Sequence, residues 1–290
     1  MNKPPPNINF SIRLADGRLI SLLKPSVMGV INLSPDSFYQ PYCSHDEILH
    51  AIERMIISGA DIIDIGGEAT NLTVDLKNSP NAQQQIDRVA PVVEMVAKRF
   101  QVLISIDTSE PQVMREAVSL GAHLINDQRG LQAPGALKAA VELKTPVCLM
   151  HFFNYSRQPG SCSLPELLAT IKADLGTSAI RCQSAGITPE RIIIDPGFGQ
   201  GHYCKNTKEN YYLLANLSEF THLGFPILVG WSRKSMIGET LGKINPQERL
   251  YGSIAAAALA AMRGASIIRV HDVPETMDAI KVFRAFSNFC

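Results

Sequence analysis

Apolar residues recur along this chain in two alternating registers. Short runs rich in Ile, Val and Leu, bounded by Gly, Pro, Asn and Asp, read as strands buried on both faces. They fall at 27–33, 62–65, 103–106, 124–126, 147–150, 192–194, 227–229 and 267–270. Between them, apolar residues three and four apart mark amphipathic helices, as with Ile48, Ile52 and Ile56. Helices are expected over 46–57, 82–98, 111–120, 136–143, 165–185, 210–220, 247–263 and 274–286, with a further helix starting near Ser235. Pro165 suits a first helical turn. Residues 9–23 instead alternate apolar and polar around Ala15-Asp16-Gly17, which predicts a β-hairpin lying as a lid over the bottom of the domain.

Eight strand–helix units in 290 residues give about 36 residues each, which fits an α/β fold of (β/α)8 barrel type. A doubly wound open sheet needs fewer strands and usually carries a glycine-rich nucleotide fingerprint after the first. Here the first strand is followed by Asn32-Leu33-Ser34-Pro35-Asp36, without that fingerprint. No linker or low-complexity segment interrupts the pattern. The expectation is one barrel domain over residues 1–290, with the hairpin within residues 1–25.

Composition narrows the class. With 46% hydrophobic residues the chain can bury one large core, and 27 basic against 27 acidic residues leave no field that points to nucleic acid or an anionic membrane. The opening MNKPPPN lacks the apolar centre of a secretory signal, and the apolar run 254–262 is too short to span a bilayer. Six cysteines show no metal-type spacing, and Cys148 lies in a strand run where packing suffices. These features predict a reduced, soluble, cytoplasmic protein of enzyme size.

The chemistry gathers at the strand ends. IIIDPGFGQG (192–201) is a buried strand that stops at Asp195, after which Pro196, Gly197 and Gly199 bring bare backbone to the same spot. A carboxylate at the lip of an apolar strand needs donor partners. In a barrel the carboxyl ends of all strands converge on the face that carries active sites. Those ends read Asn32, Gly66-Gly67-Glu68, Asp107, Asn126-Asp127, His151, Asp195, Ser232-Arg233-Lys234, and Arg269 with His271. Any one of them could cap the following helix; eight together make a polar ring. Asp107, Asn126 and Asp195 suit a flat heterocycle rich in N–H donors. Lys234, Arg269 and His271, cationic or able to become so, suit a phosphate or carboxylate. Asn32 offers a neutral oxygen of the kind Mg2+ accepts beside a diphosphate. Glu68, Asp127 and His151 read equally well as structural residues, and Trp231 reads as packing.

The chain resembles the dihydropteroate synthases of the pterin-binding barrel family. The resemblance rests on MGVINLSPDSF (28–38), GADIIDIGGEAT (59–70), SIDTS (105–109), GAHLINDQRG (121–130), PVCLMH (146–151), IIIDPGFG, LVGWSRKSMIG (228–238) and IIRVHDV (267–273). It implies condensation of p-aminobenzoate with 6-hydroxymethyl-7,8-dihydropterin diphosphate in folate biosynthesis, giving 7,8-dihydropteroate and diphosphate with Mg2+, in a transferase that is commonly a homodimer. Asp107, Asn126, Asp195 and Lys234 would read the pterin. Asn32, Arg269 and His271 would hold the diphosphate, with Asn32 also on the metal. Thr70, Ser232 and Phe38 would lie on the p-aminobenzoate side. Lys234, Arg269 and His271 would be the catalytic groups. The family is understood to ionise the C–O bond first, so catalysis would be chiefly electrostatic and positional. A site with no Ser-His-Asp arrangement or acid–base carboxylate pair agrees with that.

The chain departs from the family pattern in four places. Asn71 replaces a loop arginine, and Tyr39-Gln40-Pro41-Tyr42 replaces a flexible glycine-containing stretch. Gln200 stands where many relatives carry an aromatic, and His202-Tyr203-Cys204 read as an insertion before Lys205. Gln128 replaces a common aliphatic in the pterin pocket. The expectation is retained chemistry with a remodelled p-aminobenzoate side. Two rivals remain: a methyltransferase that takes methyl-tetrahydrofolate, and a pterin-binding paralogue without turnover. The cations after the seventh strand of the barrel count against the first.

Overall fold

The computed structural model describes residues 10–34, 44–68, 80–153, 157–200 and 203–289. A hairpin of β1 (Ser11–Arg13) and β2 (Leu19–Ser21) comes first. Eight parallel strands follow: β3 (Ser26–Asn32), β4 (Ile62–Gly66), β5 (Leu103–Asp107), β6 (Leu124–Asp127), β7 (Val147–Met150), β8 (Ile192–Asp195), β9 (Leu228–Val229) and β10 (Ile267–Val270). The sheet order is β8-β7-β6-β5-β4-β3-β10-β9. The Ile194 N–H bond to the Pro226 carbonyl (3.0 Å) and the Ile194–Ile227 bridge bring the two ends together, so the sheet is a nearly closed (β/α)8 barrel.

Helices α1 (His45–Ser58), α2 (Ala82–Arg99), α3 (Pro111–Ser119), α4 (Ala136–Leu143), α5 (Leu164–Ser184), α6 (Thr207–Ala215), α7 (Ser235–Leu241), α8 (Leu250–Met262) and α9 (Val273–Ser287) flank it. Two expected helices differ. The one expected over 210–220 starts at Thr207, because Asn206 and Glu209 form a reciprocal capping box there, and it gives way to a 3-10 turn over Leu217–Leu223. The one expected over 247–263 starts at Leu250, after a 3-10 turn led by Pro246.

Strand periodicity separates two cores. Ile63, Ile65, Ile104, Ile106, Ile192 and Ile194 point outward and pack under the helices. Residues of the opposite parity near the strand starts (Met28, Ile62, Leu124, Cys148, Ile193, Leu228 and Ile267) fill the barrel floor together with Ile12 and Leu22 of the hairpin region. The hairpin therefore lids the apolar floor as the alternation predicted. Each such side chain is worth roughly 1.5–3 kcal/mol when fully buried. Two residues further along, the inward parity turns polar on four of these strands, at Asp64, Asn126, Asp195 and Arg269, which sets the level of the site, while β3 and β7 keep the apolar Val30 and Met150. Among the described residues no helix is long and apolar enough to cross a membrane, and Cys148, Cys162 and Cys182 are free thiols.

Candidate active site

The inward positions above the floor bear Asp64 on β4, Asp107 on β5, Asn126 on β6, Asp195 on β8 and Arg269 on β10. Arg269 ties three of these strands together. Its Nε donates to Asp64 Oδ2 at 2.6 Å, and its Nη2 donates to Asp107 Oδ2 at 2.7 Å. Asn126 Nδ2 donates to the same Asp64 oxygen at 3.2 Å. Asp64 is fully buried, and its Oδ1, like Ser105 Oγ on the neighbouring strand, has no partner among the described residues. Sequence reading missed Asp64. The signal was available, because an acid two residues before Gly66 in GADIIDIGG has the inward parity of a barrel strand.

Asp107 also accepts from Gln128 Nε2 at 2.9 and 3.0 Å. Burial pushes its carboxyl up to about 7, against the pull of the Arg269 guanidinium and with the Asp64 charge adding to the rise. Asp195 ends β8, and its Oδ1 accepts the Gly197 N–H at 2.7 Å. Burial raises it to about 6, opposed by that hydrogen bond and by Lys234 and Lys205. Gly197 has φ +70°, and a Cβ there would lie 2.4 Å from the His151 carbonyl, so only glycine permits this turn. Lys205 is 1% exposed, and burial lowers its ammonium to about 7 despite Asp195.

The three residues after Trp231 separate by role. Arg233, with φ +62°, turns away from the mouth and clamps Asp272 at the start of α9 through Nε (2.7 Å) and Nη2 (2.5 Å), besides the carbonyls of Pro246 and Gln247. It is a structural clamp. Lys234 faces the site: its Nζ donates to the Phe198 carbonyl at 2.6 Å and lies 4.3 Å from the centre of the Tyr203 ring. Ser232 is buried and engaged with His271: its Oγ accepts the His271 backbone N–H at 3.2 Å and lies 3.1 Å from Nδ1. If Oγ donates to Nδ1, both bonds are satisfied and Nε2 carries the remaining N–H.

His271 is expected from the sequence to be cationic or able to become so; burial, helped by the Arg269 charge, drops its imidazole to about 3, so before an anion binds the ring is neutral. Arg269 likewise is committed to two carboxylates. Only its Nη1 has no partner among the described residues, so it stands on the Asp107 side of the pocket rather than as a loose cation. Asn32 Oδ1 accepts the Ser34 N–H at 2.9 Å, which fixes its amide at the end of β3.

The ambiguous residues have partners outside the ring network. Asp127 points outward and holds its loop through Ser109 Oγ and the N–H groups of Arg129 (2.8 Å) and Leu131 (2.9 Å). His151 pairs with Asp174 at 3.1 Å, and burial holds it well below the usual histidine range. Glu68 lies 3.8 Å from Arg129. Trp231 packs edge-on against Phe198 with ring centres 4.6 Å apart. Gln200 bonds Thr207 (2.8 Å) and Glu239 (2.7 Å), while the aromatic at this corner is Tyr203, which the sequence offered only as part of an insertion. Thr70, Phe38, Asn71, Tyr39 to Tyr42 and His202 lie outside the described residues.

This pocket floor offers carboxylates, an amide and oriented cations to a flat ring with several N–H groups, and a histidine donor at one edge. No described cluster of His, Cys, Asp or Glu could hold a metal by itself. Residues 28–271 match the model of the pterin binding enzyme family. The chain is 46% identical over 275 residues to the dihydropteroate synthase of Escherichia coli K12, covering 93% of this chain and 95% of that protein. A dihydropteroate synthase from Coxiella burnetii, solved with pteroic acid, superposes with a TM-score of 0.92 at 52% identity, covering 97% of this chain and all of that one (100%). One from Xanthomonas albilineans, solved with 4-aminobenzoic acid, gives 0.85 at 40% identity, covering 96% of this chain and 98% of that one.

Proposed function

The chain belongs to the pterin-binding enzyme family, among its dihydropteroate synthases, and from that premise we propose how its own residues serve the reaction. The activity is condensation of 6-hydroxymethyl-7,8-dihydropterin diphosphate with p-aminobenzoate to 7,8-dihydropteroate and diphosphate, a transferase step in folate biosynthesis. The observation that carries the assignment of roles is the connected network Asn126–Asp64–Arg269–Asp107, with Asp195 and Lys234 beside it in the barrel mouth.

Asp107 and Asp195 accept from the N–H groups of the pterin, Asn126 supplies an amide, and Lys234 meets the carbonyl side. A ring that loses diphosphate becomes a resonance-stabilised cation, and two buried carboxylates beneath it favour that charge over the neutral ground state. His271 donates its N–H toward the departing diphosphate, and the Arg269 Nη1 edge adds positive potential. Ser232 orients the imidazole, and the resemblance would give Thr70 and Phe38, outside the described residues, to the p-aminobenzoate. The attacking aromatic amine needs only placement and loses its proton to water or diphosphate.

Asn32 would hold Mg2+. Its amide oxygen is neutral and fixed by the Ser34 N–H, which suits an ion that takes few protein oxygens and shares the rest with phosphate. When bound, magnesium would offset the negative charge gathering on the leaving group. A homodimer is the proposed assembly: Tyr251, Leu259 and Met262 of α8 and Val282 and Phe286 of α9 are exposed apolar side chains on helices that pack together, and a second copy would cover them. Light scattering at twice the 31.7 kDa chain mass supports this and a monomer refutes it. Small charge-balanced composition and free thiols suit the cytoplasm.

The test is diphosphate release from the dihydropterin diphosphate. Release matched by dihydropteroate formed from added p-aminobenzoate, and falling at least 100-fold in Lys234→Ala, supports the assignment. Release without any dihydropteroate when the amine is present, or a K234A variant with full turnover, overturns it.

A further inference from the structure

The pterin-reading carboxylate Asp107 is already occupied by the protein's own side chains. Gln128 Nε2 sits on both of its oxygens (2.9 and 3.0 Å), and Arg269 Nη2 takes Oδ2 at 2.7 Å. The Gln128 amide is held in that orientation from behind, because its Oε1 accepts the Tyr203 hydroxyl at 3.2 Å. Tyr203 itself is firmly seated. Its N–H bonds the Gln200 carbonyl (3.3 Å), its carbonyl accepts from Lys205 Nζ (3.3 Å), and its ring lies against Gly199, where a Cβ would come within 2.4 Å of Cδ2. The same ring lies beneath the Lys234 ammonium.

We propose that Gln128, oriented by Tyr203, is a specificity-setting residue that shields Asp107 until a ligand bringing its own donors displaces it. This rests on the pterin-binding reading of the pocket. Displacement asks little of the backbone. Asp127 locks the loop around Gln128, whereas the half-buried glutamine side chain can rotate away about its own bonds. A ring with N–H groups facing Asp107 replaces the amide contacts it breaks; a ring without them leaves a buried carboxylate short of a partner and is rejected. Part of the ligand's binding free energy is thus spent on exchange, and unliganded protein binds more weakly than the pocket's contacts alone would give. Tyr203 acts through Gln128 and is a positioning residue.

The experiment is calorimetric titration of 6-hydroxymethylpterin into wild type, Tyr203→Phe, Gln128→Leu and the double variant, with thermal unfolding as a check on folding. Y203F keeps the ring under Lys234 and removes only the hydroxyl. The expected result is roughly three- to tenfold tighter binding in Q128L, the scale of one exchanged hydrogen bond, and a smaller gain in Y203F. The double variant should match Q128L alone, because the hydroxyl has nothing left to orient. In turnover the gain appears as a lower KM for the pterin diphosphate with the p-aminobenzoate KM unmoved. If wild type binds pterin and the variants bind it equally or more weakly, or if the two effects simply add, the inference fails. If wild type takes up no pterin at all, the reading of the pocket fails with it.

Discussion

Replacing Arg269 by methionine removes the cation that bridges two buried acids. Asp64 is fully buried and receives its strongest hydrogen bond, 2.6 Å, from Arg269 Nε. Its Oδ1 has no partner among the described residues even in the intact network. Asp107 loses the 2.7 Å bond from Nη2 and keeps Gln128. Breaking a buried ion pair from one side costs about 3–5 kcal/mol, because the surviving charge is left uncompensated. The lower end applies here, since the Arg269 side chain is 21% exposed and Asn126 and Gln128 remain as donors. A loss of about 3 kcal/mol in a chain of 290 residues lowers the midpoint of thermal unfolding by roughly 5 °C. Urea unfolding of R269M at pH 7.5 reads the loss, and adding Asp64→Asn should restore about 1–2 kcal/mol by removing the stranded charge. The deficit should also shrink toward acid pH. A carboxyl whose folded pKa lies above its unfolded value binds a proton in the native state first, so lowering pH from about 7 toward 4 stabilises the fold. An R269M loss under about 1 kcal/mol, or a D64N change that adds to the damage, would refute the reasoning.

Two further outcomes follow from the buried acids and the histidine. Asp107 and Asp195 are raised by burial to about 7 and about 6, and a ring with N–H donors needs them ionised. Pterin affinity should therefore rise from pH 5 to 8, with protons released on binding near pH 6; calorimetry in two buffers of different ionisation enthalpy measures this, and pH-independent affinity without proton release contradicts it. His271, held neutral near 3, should add no inflection to the rate between pH 6 and 8, and His271→Gln, which keeps an N–H donor, should retain at least tenfold more turnover than His271→Leu. Equal activities of those two variants would remove the donor role.

Much of the barrel was legible because strands and helices impose different periods on the same apolar residues. Element ends were less so: the Asn206–Glu209 box that starts α6 lies before the first apolar residue of that helix, so periodicity alone placed it three residues late. Within the site, parity decides what a residue list cannot. Asn126 faces the pocket and Asp127 the loop because they are neighbours on one strand. Arg233 and Lys234 look interchangeable in sequence, but the left-handed backbone at Arg233 sends its guanidinium to Asp272. Asp64 was visible by parity and overlooked. Tyr203 and its bond to Gln128 were not visible, since an inserted residue has no register from which its position can be read. The charge of His271 depends on burial by partners far apart in the chain, which no local pattern encodes.

A dihydropterin lying against the carboxylate at the end of β8 is what the proposed chemistry requires. The most direct test is calorimetric titration of 6-hydroxymethylpterin into the wild type and into Asp195→Ala. One ring bound per chain, with affinity at least 100-fold weaker in the variant, is the predicted result. Undiminished binding to D195A, in a protein whose unfolding shows it to be intact, would contradict it.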